Sequence, residues 1–287
     1  MLNHLVNLSE VKQFIDNPKA LFVVNNSGGK DSQAMSILVS KLGIPAERVL
    51  NMHAVLPEVD WTSTDKQASY IAARNGQQFF TVQAKKTFLQ MVRERTMFPS
   101  DMCRYCTSAL KKAPIDQFVK QYADSHGFTI VVNCMGMRAQ ESTKRAKGLD
   151  KKDFKVTGIV TTFMYDAKTA RKGKGKAKTG KLDWYQWLPI HSMLTNEVFA
   201  LIEQVGQKPH YCYSLGNERC SCVFCIFSSQ NDLEIGAKHC PKLAHKYIEL
   251  EKDIGHTMFC KTKTIKKVKY PVPVSLESKI AHILNAN

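Results

Sequence analysis

The sequence predicts an α/β protein, a parallel sheet with helices on both faces, followed by a Cys-rich C-terminal extension. Three observations carry this expectation. Short apolar runs alternate with segments whose apolar residues recur at helical spacing. A polar turn, Ser27-Gly28-Gly29-Lys30-Asp31-Ser32, stands between the first such strand and the helix after it. Cysteines gather from about residue 210 onward, at Cys212, Cys220, Cys222, Cys225, Cys240 and Cys260.

Leu5, Leu8, Val11, Phe14 and Ile15 give one apolar side to a helix over 5–17. Leu21-Phe22-Val23-Val24 marks a buried strand over 21–25. Ala34, Ile37, Leu38 and Leu42 then set a helix over 31–43 that Gly43 and Pro45 end. A strand follows over 48–55 and a helix over 62–75, capped by Thr62 or Ser63 and stopped at Gly76. Phe79–Val82 is a strand, Thr87–Arg95 a short helix, and Lys111–His126 a helix with Pro114 in its first turns. Residues 128–134 form the most strand-like run. In such a sheet, ligands sit beyond the carboxyl ends of the strands. Those ends carry Ser27–Ser32, His53–Trp61 and Gly136–Arg145. Residues 147–181 read as a long basic excursion, after which Trp184–Ile190 and a helix over Asn196–Gln204 return to order. The expected division is an α/β domain over 1–209 and a Cys-rich, basic region over 210–287.

A chain of 287 residues can bury a good core, and 44% hydrophobic content excludes a disordered polymer. No apolar run approaches the ~20 residues that span a bilayer. The N-terminus lacks a basic region followed by an apolar run, so a cytoplasmic protein with no membrane partner is expected. The net charge of +16 is clustered. One acid-free stretch holds Lys168, Arg171, Lys172, Lys174, Lys176, Lys178 and Lys181. A second run holds Lys261, Lys263, Lys266, Lys267 and Lys269. Such clusters suit a polyanion, nucleic acid foremost, with a phosphate-rich small ligand or a solvated loop as the other readings.

The turn Ser27–Ser32 combines a helix N-terminus, two glycines that admit close approach, and donors from Ser27, Lys30 and Ser32. That is a phosphate-binding loop, though not of the Walker spacing. After the strand over 128–134, Arg138, Glu141, Ser142 and Arg145 can share one side of a helix start, where two guanidiniums can grip a phosphate or sulfate. Cys103-x2-Cys106 and Cys222-x2-Cys225 are pairs at metal-ligand spacing that suit zinc or an iron–sulfur cluster. Cys134 and Cys212 read as plain buried thiols.

The loop resembles the pyrophosphate loop of the ATP pyrophosphatase superfamily. Four later segments follow it in order. They are Cys106-Thr107-Ser108-Ala109-Leu110-Lys111-Lys112-Ala113-Pro114; Gly136-x-Arg138-x2-Glu141-Ser142-x2-Arg145; Trp187-Leu188-Pro189-Ile190; and Gly216-x2-Arg219-x-Ser221-Cys222-x2-Cys225. Together they resemble the phosphoadenosine phosphosulfate (PAPS) reductase family over roughly residues 20–228. The nearest branch carries cluster cysteines and includes the sulfur-transfer enzyme of DNA phosphorothioation.

The resemblance implies a Rossmann-like, adenine nucleotide alpha hydrolase-like fold. It implies ATP (or PAPS) and Mg²⁺ held by Ser27, Gly28, Gly29, Lys30, Asp31, Ser32, Arg138, Glu141 and Arg145, with Lys30, Asp31 and Arg138 acting on the reaction. It also implies a 4Fe–4S cluster on Cys103, Cys106, Cys222 and Cys225, with Cys220 and Cys240 as competing fourth ligands and zinc as the alternative occupant. The expected function is ATP-dependent adenylation and sulfur transfer on nucleic acid, aided by a sulfur donor protein. The alternatives are reduction of PAPS or adenylyl sulfate to sulfite, and nucleotide and nucleic-acid binding without catalysis. Two departures stand out. The family carries an acidic residue and Gly after its second strand, where this chain has Val55-Leu56-Pro57, with Glu58 and Asp60 as substitute carboxylates. The reductase's C-terminal Glu-Cys-Gly-[Leu/Ile]-His is absent, and the tail holds Met258-Phe259-Cys260-Lys261 instead.

Overall fold

The computed structural model describes residue 5 and residues 8–146, 161–164, 182–265 and 268–285. The elements in chain order are α1 (Leu8–Ile15), β1 (Ala20–Asn25), α2 (Lys30–Ser40), β2 (Val49–Ala54), α3 (Thr64–Arg74), β3 (Gln78–Val82), α4 (Phe88–Arg95), α5 (Tyr105–Thr107), α6 (Ala113–His126), β4 (Ile130–Cys134), α7 (Thr143–Ala146), β5 (Thr161–Met164), β6 (Asp183–Trp187), α8 (Thr195–Gln204), α9 (Gln230–His239), α10 (Pro241–Ile254), β7 (Phe259–Ile265), β8 (Val268–Val274) and α11 (Leu276–Leu284). They form two compact units. One takes residues 1–53, 65–82 and 115–209. The other takes 54–64, 83–114 and 210–287, so two segments from the first half of the chain join the Cys-rich C-terminal part. The basic stretch from Lys168 to Lys181, with Lys266 and Lys267 of the second run, lies outside the described residues.

The first unit is a six-stranded sheet in the order β3-β2-β1-β4-β6-β5. β1 runs parallel to β2 and β4, and β4 parallel to β6. The apolar run Leu21–Val24 is fully buried, as a central strand covered on both faces must be. From β1 the strand order turns one way to β2 and the other way to β4, which puts the loop after β1 at the switch point. Phe22, Val24, Met35, Ile37, Val132 and Trp187 make up much of the core. Arg48 fixes the edge of this core. Its Nε donates to the Ala20 carbonyl at 2.9 Å, and its two terminal nitrogens donate to Ile15 at 2.9 Å and Phe14 at 2.7 Å. Those are the last carbonyls of α1, so the helix ends at Ile15 with its C-terminus satisfied by a cation. One strand departs from expectation. β5 falls within the segment expected to be an excursion, and it pairs antiparallel with β6.

The second unit packs α4, α9, α10 and α11 around Phe98, Phe224, Leu233, Tyr247, Leu276 and Ile280. Tyr247 is the centre of an aromatic group, with ring centroids 6.0 Å from Phe88, 6.1 Å from Phe98 and 5.4 Å from Phe224. α4 starts with a capping box: Thr87 Oγ1 accepts from Gln90 N at 3.3 Å, and Gln90 Oε1 accepts from Thr87 N at 2.9 Å. The helix expected from Lys111 is continuous with a wider, π-type turn over Ser108–Lys112 that itself follows Tyr105–Thr107, and Pro114 comes just after that turn. A hairpin of β7 and β8 precedes α11. Glu251 ties α10 to the chain beyond it. Its carboxylate accepts from Met258 N at 2.6 Å and from Leu276 N at 2.9 Å.

Replacing Glu251 with Ala should leave those N–H groups bare at a cost of about 1–3 kcal/mol each, read as a lower denaturant midpoint. Burial raises the Glu251 carboxyl above its ordinary value of 4.5, against the two backbone hydrogen bonds. The folded state therefore holds that proton more tightly than the unfolded chain. The stabilisation is complete below the unfolded value and is lost as pH rises through the raised one. Glu251→Gln carries no such proton, so its stability relative to the unmutated chain should improve over that interval, as denaturation at two pH values would show.

Candidate functional site

In the first unit, Asn26 organises the loop. Its N–H donates to the Met52 carbonyl at 2.9 Å, and its Nδ2 donates to Asn51 Oδ1 at 2.8 Å and to the Ala68 carbonyl at 2.9 Å. With the amide thus fixed, Oδ1 accepts from Gly28 N at 2.9 Å and from Ser32 Oγ at 3.3 Å. Gly28 has φ +76°, a conformation that favours glycine. Gly29 is the N-cap of α2 and brings no side-chain oxygen to the helix N-terminus. The positive end of the helix is thus left to an external anion. Lys30 is buried, with Nζ 3.2 Å from Asp31 Oδ2, while Ser27 is exposed.

The strand-end segment after β4 closes on this loop. A Cβ on Gly136 would lie 3.0 Å from the Asp31 carbonyl carbon and oxygen and 3.1 Å from Ser32 N, so only glycine allows the backbones to approach this far. Arg138 is 2% exposed. Its Nε donates to Asp31 Oδ1 at 2.6 Å, one terminal nitrogen donates to the Met193 carbonyl at 3.1 Å and Gln140 Oε1 at 3.0 Å, and the other donates to Thr195 Oγ1 at 3.1 Å. The sequence suggested a phosphate grip. The geometry makes Arg138 the holder of Asp31. Glu141 accepts from Arg138 N at 2.8 Å and pairs with Arg145, whose side chain keeps 28% exposure. Ser142 Oγ accepts from Arg145 N at 3.2 Å.

In the second unit, Cys106, Cys222 and Cys225 form one group with Asp60 and Lys111. Val223 N donates to the Val59 carbonyl at 2.8 Å, and Asp60 bridges to Cys222, which brings the 54–64 segment against the Cys222-x2-Cys225 turn. Burial pushes the Cys222 thiol up, and Asp60 and Cys225 add to it. Burial also raises Cys106, with Cys225 in the same direction. Burial alone would lower Lys111, but Cys222, Asp60, Cys225 and Cys106 together overcome it and hold the ammonium above its ordinary value. These three thiols would supply three of the four thiolates that an iron–sulfur cluster takes.

Cys103 stands exposed, its N–H donating to Ser100 Oγ at 3.1 Å. The Tyr105 hydroxyl, raised first by burial, feels the charge of both Cys106 and Cys103. Glu58 is exposed and pairs with Lys246 at 3.3 Å. Cys134 is fully buried, as expected. Cys212 is not a plain thiol. Hydrogen bonding from Cys220 draws it down to about 6, against burial and with help from His210. Cys240 lies near these residues, since the Tyr211 hydroxyl, raised first by burial, also feels Cys240, Cys212 and Cys220. The sequence reading missed Asn26, Gly136 as a contact, Asp60 as the partner of Cys222, and Lys111. The last two lay within segments already singled out, but their partners are far away in the chain.

The profile of the phosphoadenosine phosphosulfate reductase domain matches residues 22–228. The chain belongs to this family. It is an enzyme family, and the match spans the loop, the Arg138 segment and the Cys222–Cys225 pair. No curated protein matches the chain. Among solved structures, PAPS reductase from Candida auris, a phosphate complex, is similar at 12% identity, covering 77% of this chain and 90% of that one with a TM-score of 0.44. The U34-tRNA thiolase NcsA from Methanococcus maripaludis, with its 4Fe–4S cluster, is similar at 18% identity over 86% and 78%, with a TM-score of 0.43. FMN adenylyltransferase from Candida glabrata is similar at 12% over 77% and 59%, with a TM-score of 0.45. At these identities the chemistry named for those proteins stays theirs. No helix among the described residues is long and apolar enough to cross a membrane.

Gly136→Ala should force the Asp31–Ser32 backbone to move. A loss of about 1–3 kcal/mol is expected, as for other overpacked sites, read as a lower melting temperature. A variant with unchanged melting would remove the close-approach argument.

Proposed function

We propose that this PAPS reductase-family enzyme adenylates an acceptor on nucleic acid with ATP and then replaces the adenylate with sulfur. The grouping of Cys106, Cys222 and Cys225 around Lys111 is the observation that supports this reading. A family enzyme that carried only the nucleotide loop would have no need of it. The N–H groups at the start of α2 and the Lys30 ammonium would face the phosphates, and Asp31, held by Arg138, would offer oxygen to Mg²⁺. An acceptor oxygen attacks the α-phosphorus, the bond to the β-phosphate breaks, and pyrophosphate leaves with its charge met by fixed N–H groups and Lys30. Cys106, Cys222 and Cys225 would hold the cluster, with Cys103 as the fourth candidate. When bound, the cluster would supply a place to carry sulfur, which a sulfur donor protein would deliver. Lys111 keeps a positive charge beside the thiolates. The transfer would be completed by sulfide-level sulfur bonding to the activated centre as the bond from that centre to the adenylated oxygen breaks, AMP leaving with that oxygen and no oxidant or reductant being consumed. The lysine runs at 168–181 and 261–269 would meet the nucleic-acid backbone without reading its sequence.

The anaerobically purified protein, given ATP with tRNA or DNA, should release pyrophosphate and AMP. Lys30→Ala should cut the rate by about 10²–10³, the usual loss when one electrostatic donor is removed. Cys106→Ser should lose the iron–sulfur absorption and keep nucleotide binding. The proposal fails if no pyrophosphate forms with either nucleic acid. Sulfite released from PAPS with a thiol donor would install the reductase reading in its place.

A further inference from the structure

We infer that His210, Cys212 and Cys220 form a site for one tetrahedral divalent ion of the zinc type, separate from the Cys106–Cys222–Cys225 group. The three ligand atoms lie within 4.8 Å of one another. Zinc takes thiolate sulfur at about 2.3 Å and imidazole nitrogen at about 2.0–2.1 Å, so a tetrahedral ion sets its donors roughly 3.5–3.8 Å apart. The side chains would need to close by roughly 1.0–1.3 Å at most. A four-iron cube holds its thiolates farther apart, because the cube itself lies between them. The donor set is therefore scaled to a single ion.

The surroundings support ligation. His210 is 1% exposed and Cys212 fully buried, while Cys220 is half-buried. Thr64 Oγ1 donates to the Trp61 carbonyl at 2.8 Å and lies 3.4 Å from His210 Nε2. With its own proton committed, that hydroxyl can only accept from Nε2–H. The imidazole is thereby fixed with its lone pair on Nδ1, which accepts from Cys212 N–H at 3.2 Å, a hydrogen bond that the ion would replace. A ring nitrogen presented while the other N–H is held by an oxygen is the usual arrangement of a metal-ligating histidine. The chain is built to return. The turn Tyr211–Leu215 ends at Gly216 with φ +99°, and the reversal brings Cys220 back to Cys212, with Cys220 N donating to Tyr213 Oη at 3.3 Å. The Asp232 carboxylate acts on Cys212 and adds negative charge. Three protein ligands leave a fourth position for water. The bound ion would pin the 210–220 segment that leads directly into Cys222.

The test reads metals separately. The unmutated protein, purified without chelator after growth with added zinc, should carry a single equivalent of zinc in elemental analysis. Cys212→Ser and Cys220→Ser should lose it and keep their iron. Cys106→Ser should do the reverse, so failure of the cluster and failure of the zinc site are distinguishable. Co²⁺ in place of zinc should give thiolate charge-transfer and tetrahedral d–d absorption. Thr64→Val, which removes the partner of Nε2–H and no ligand, should weaken zinc binding by about 10–100-fold. Absence of zinc from the unmutated protein even after titration with Zn²⁺, zinc retained in both serine variants, or cobalt without thiolate bands would each overturn the site. If a serine variant misfolds by circular dichroism, the cobalt spectrum of the unmutated protein and the Thr64→Val affinity decide the matter.

Discussion

The ion pair between Arg138 and Asp31 is the constraint on which the Ser27–Ser32 loop of the first unit depends. The residues are 107 positions apart, and Arg138 is almost fully buried. Removing a guanidinium from water costs several kcal/mol, and Coulomb attraction to one carboxylate does not reliably return it. Here the cost is offset because all three guanidinium nitrogens have partners, drawn from Asp31, Gln140, Met193 and Thr195. The consequence is structural coupling. The first turn of α2, the segment after β4 and the start of α8 share one hydrogen-bond network. None can shift without leaving a buried charge exposed to an apolar surround. Gly136 completes the coupling, because a network this tight needs two backbones in contact where only hydrogen occupies the Cβ position.

That coupling reassigns the two arginines. In the sequence, Arg138 and Arg145 are equivalent, a pair of cations near a strand end. In the fold, Arg138 is enclosed by protein acceptors, whereas Arg145 keeps partial exposure and pairs with Glu141. The distinction was not legible in the spacing, because it arises from Met193 and Thr195, which belong to a different element.

What could be read from the chain follows the range of the interactions. The strand–turn–helix around Ser27–Ser32 was legible because its signals are contiguous: an apolar run, two glycines, then helical periodicity. The parallel sheet was legible from alternation. The end of α1 was not, since Arg48 sets it from 33 or 34 residues away. Asn26 carries no motif of its own, and its role comes from Asn51 on the neighbouring strand β2 and Ala68 on α3. The cysteines show the same limit. A C-x2-C pair says that two sulfurs can reach a common centre. It does not say which others will. The structure groups Cys106 with Cys222 and Cys225, puts Cys103 on an exposed turn, and gives Cys212 and Cys220 to His210.

The departure at Val55-Leu56-Pro57 gains a physical meaning from these placements. Leu56 is buried in the core of the second unit, Glu58 pairs with Lys246, and Asp60 belongs to the thiol group. Both substitute carboxylates belong to the second unit, whereas Asp31 lies in the Ser27–Ser32 loop itself. Its two oxygens already accept from Arg138 and Lys30. A carboxylate has about four lone-pair sites, so both contacts leave room for a cation. The local charge is two positive groups against one negative, which attracts a polyphosphate before any metal arrives. Mg²⁺ keeps several of its waters and relies on one or two carboxylates plus the phosphates themselves. The proposed nucleotide would therefore need only the one rigidly held aspartate if it brings its metal with it.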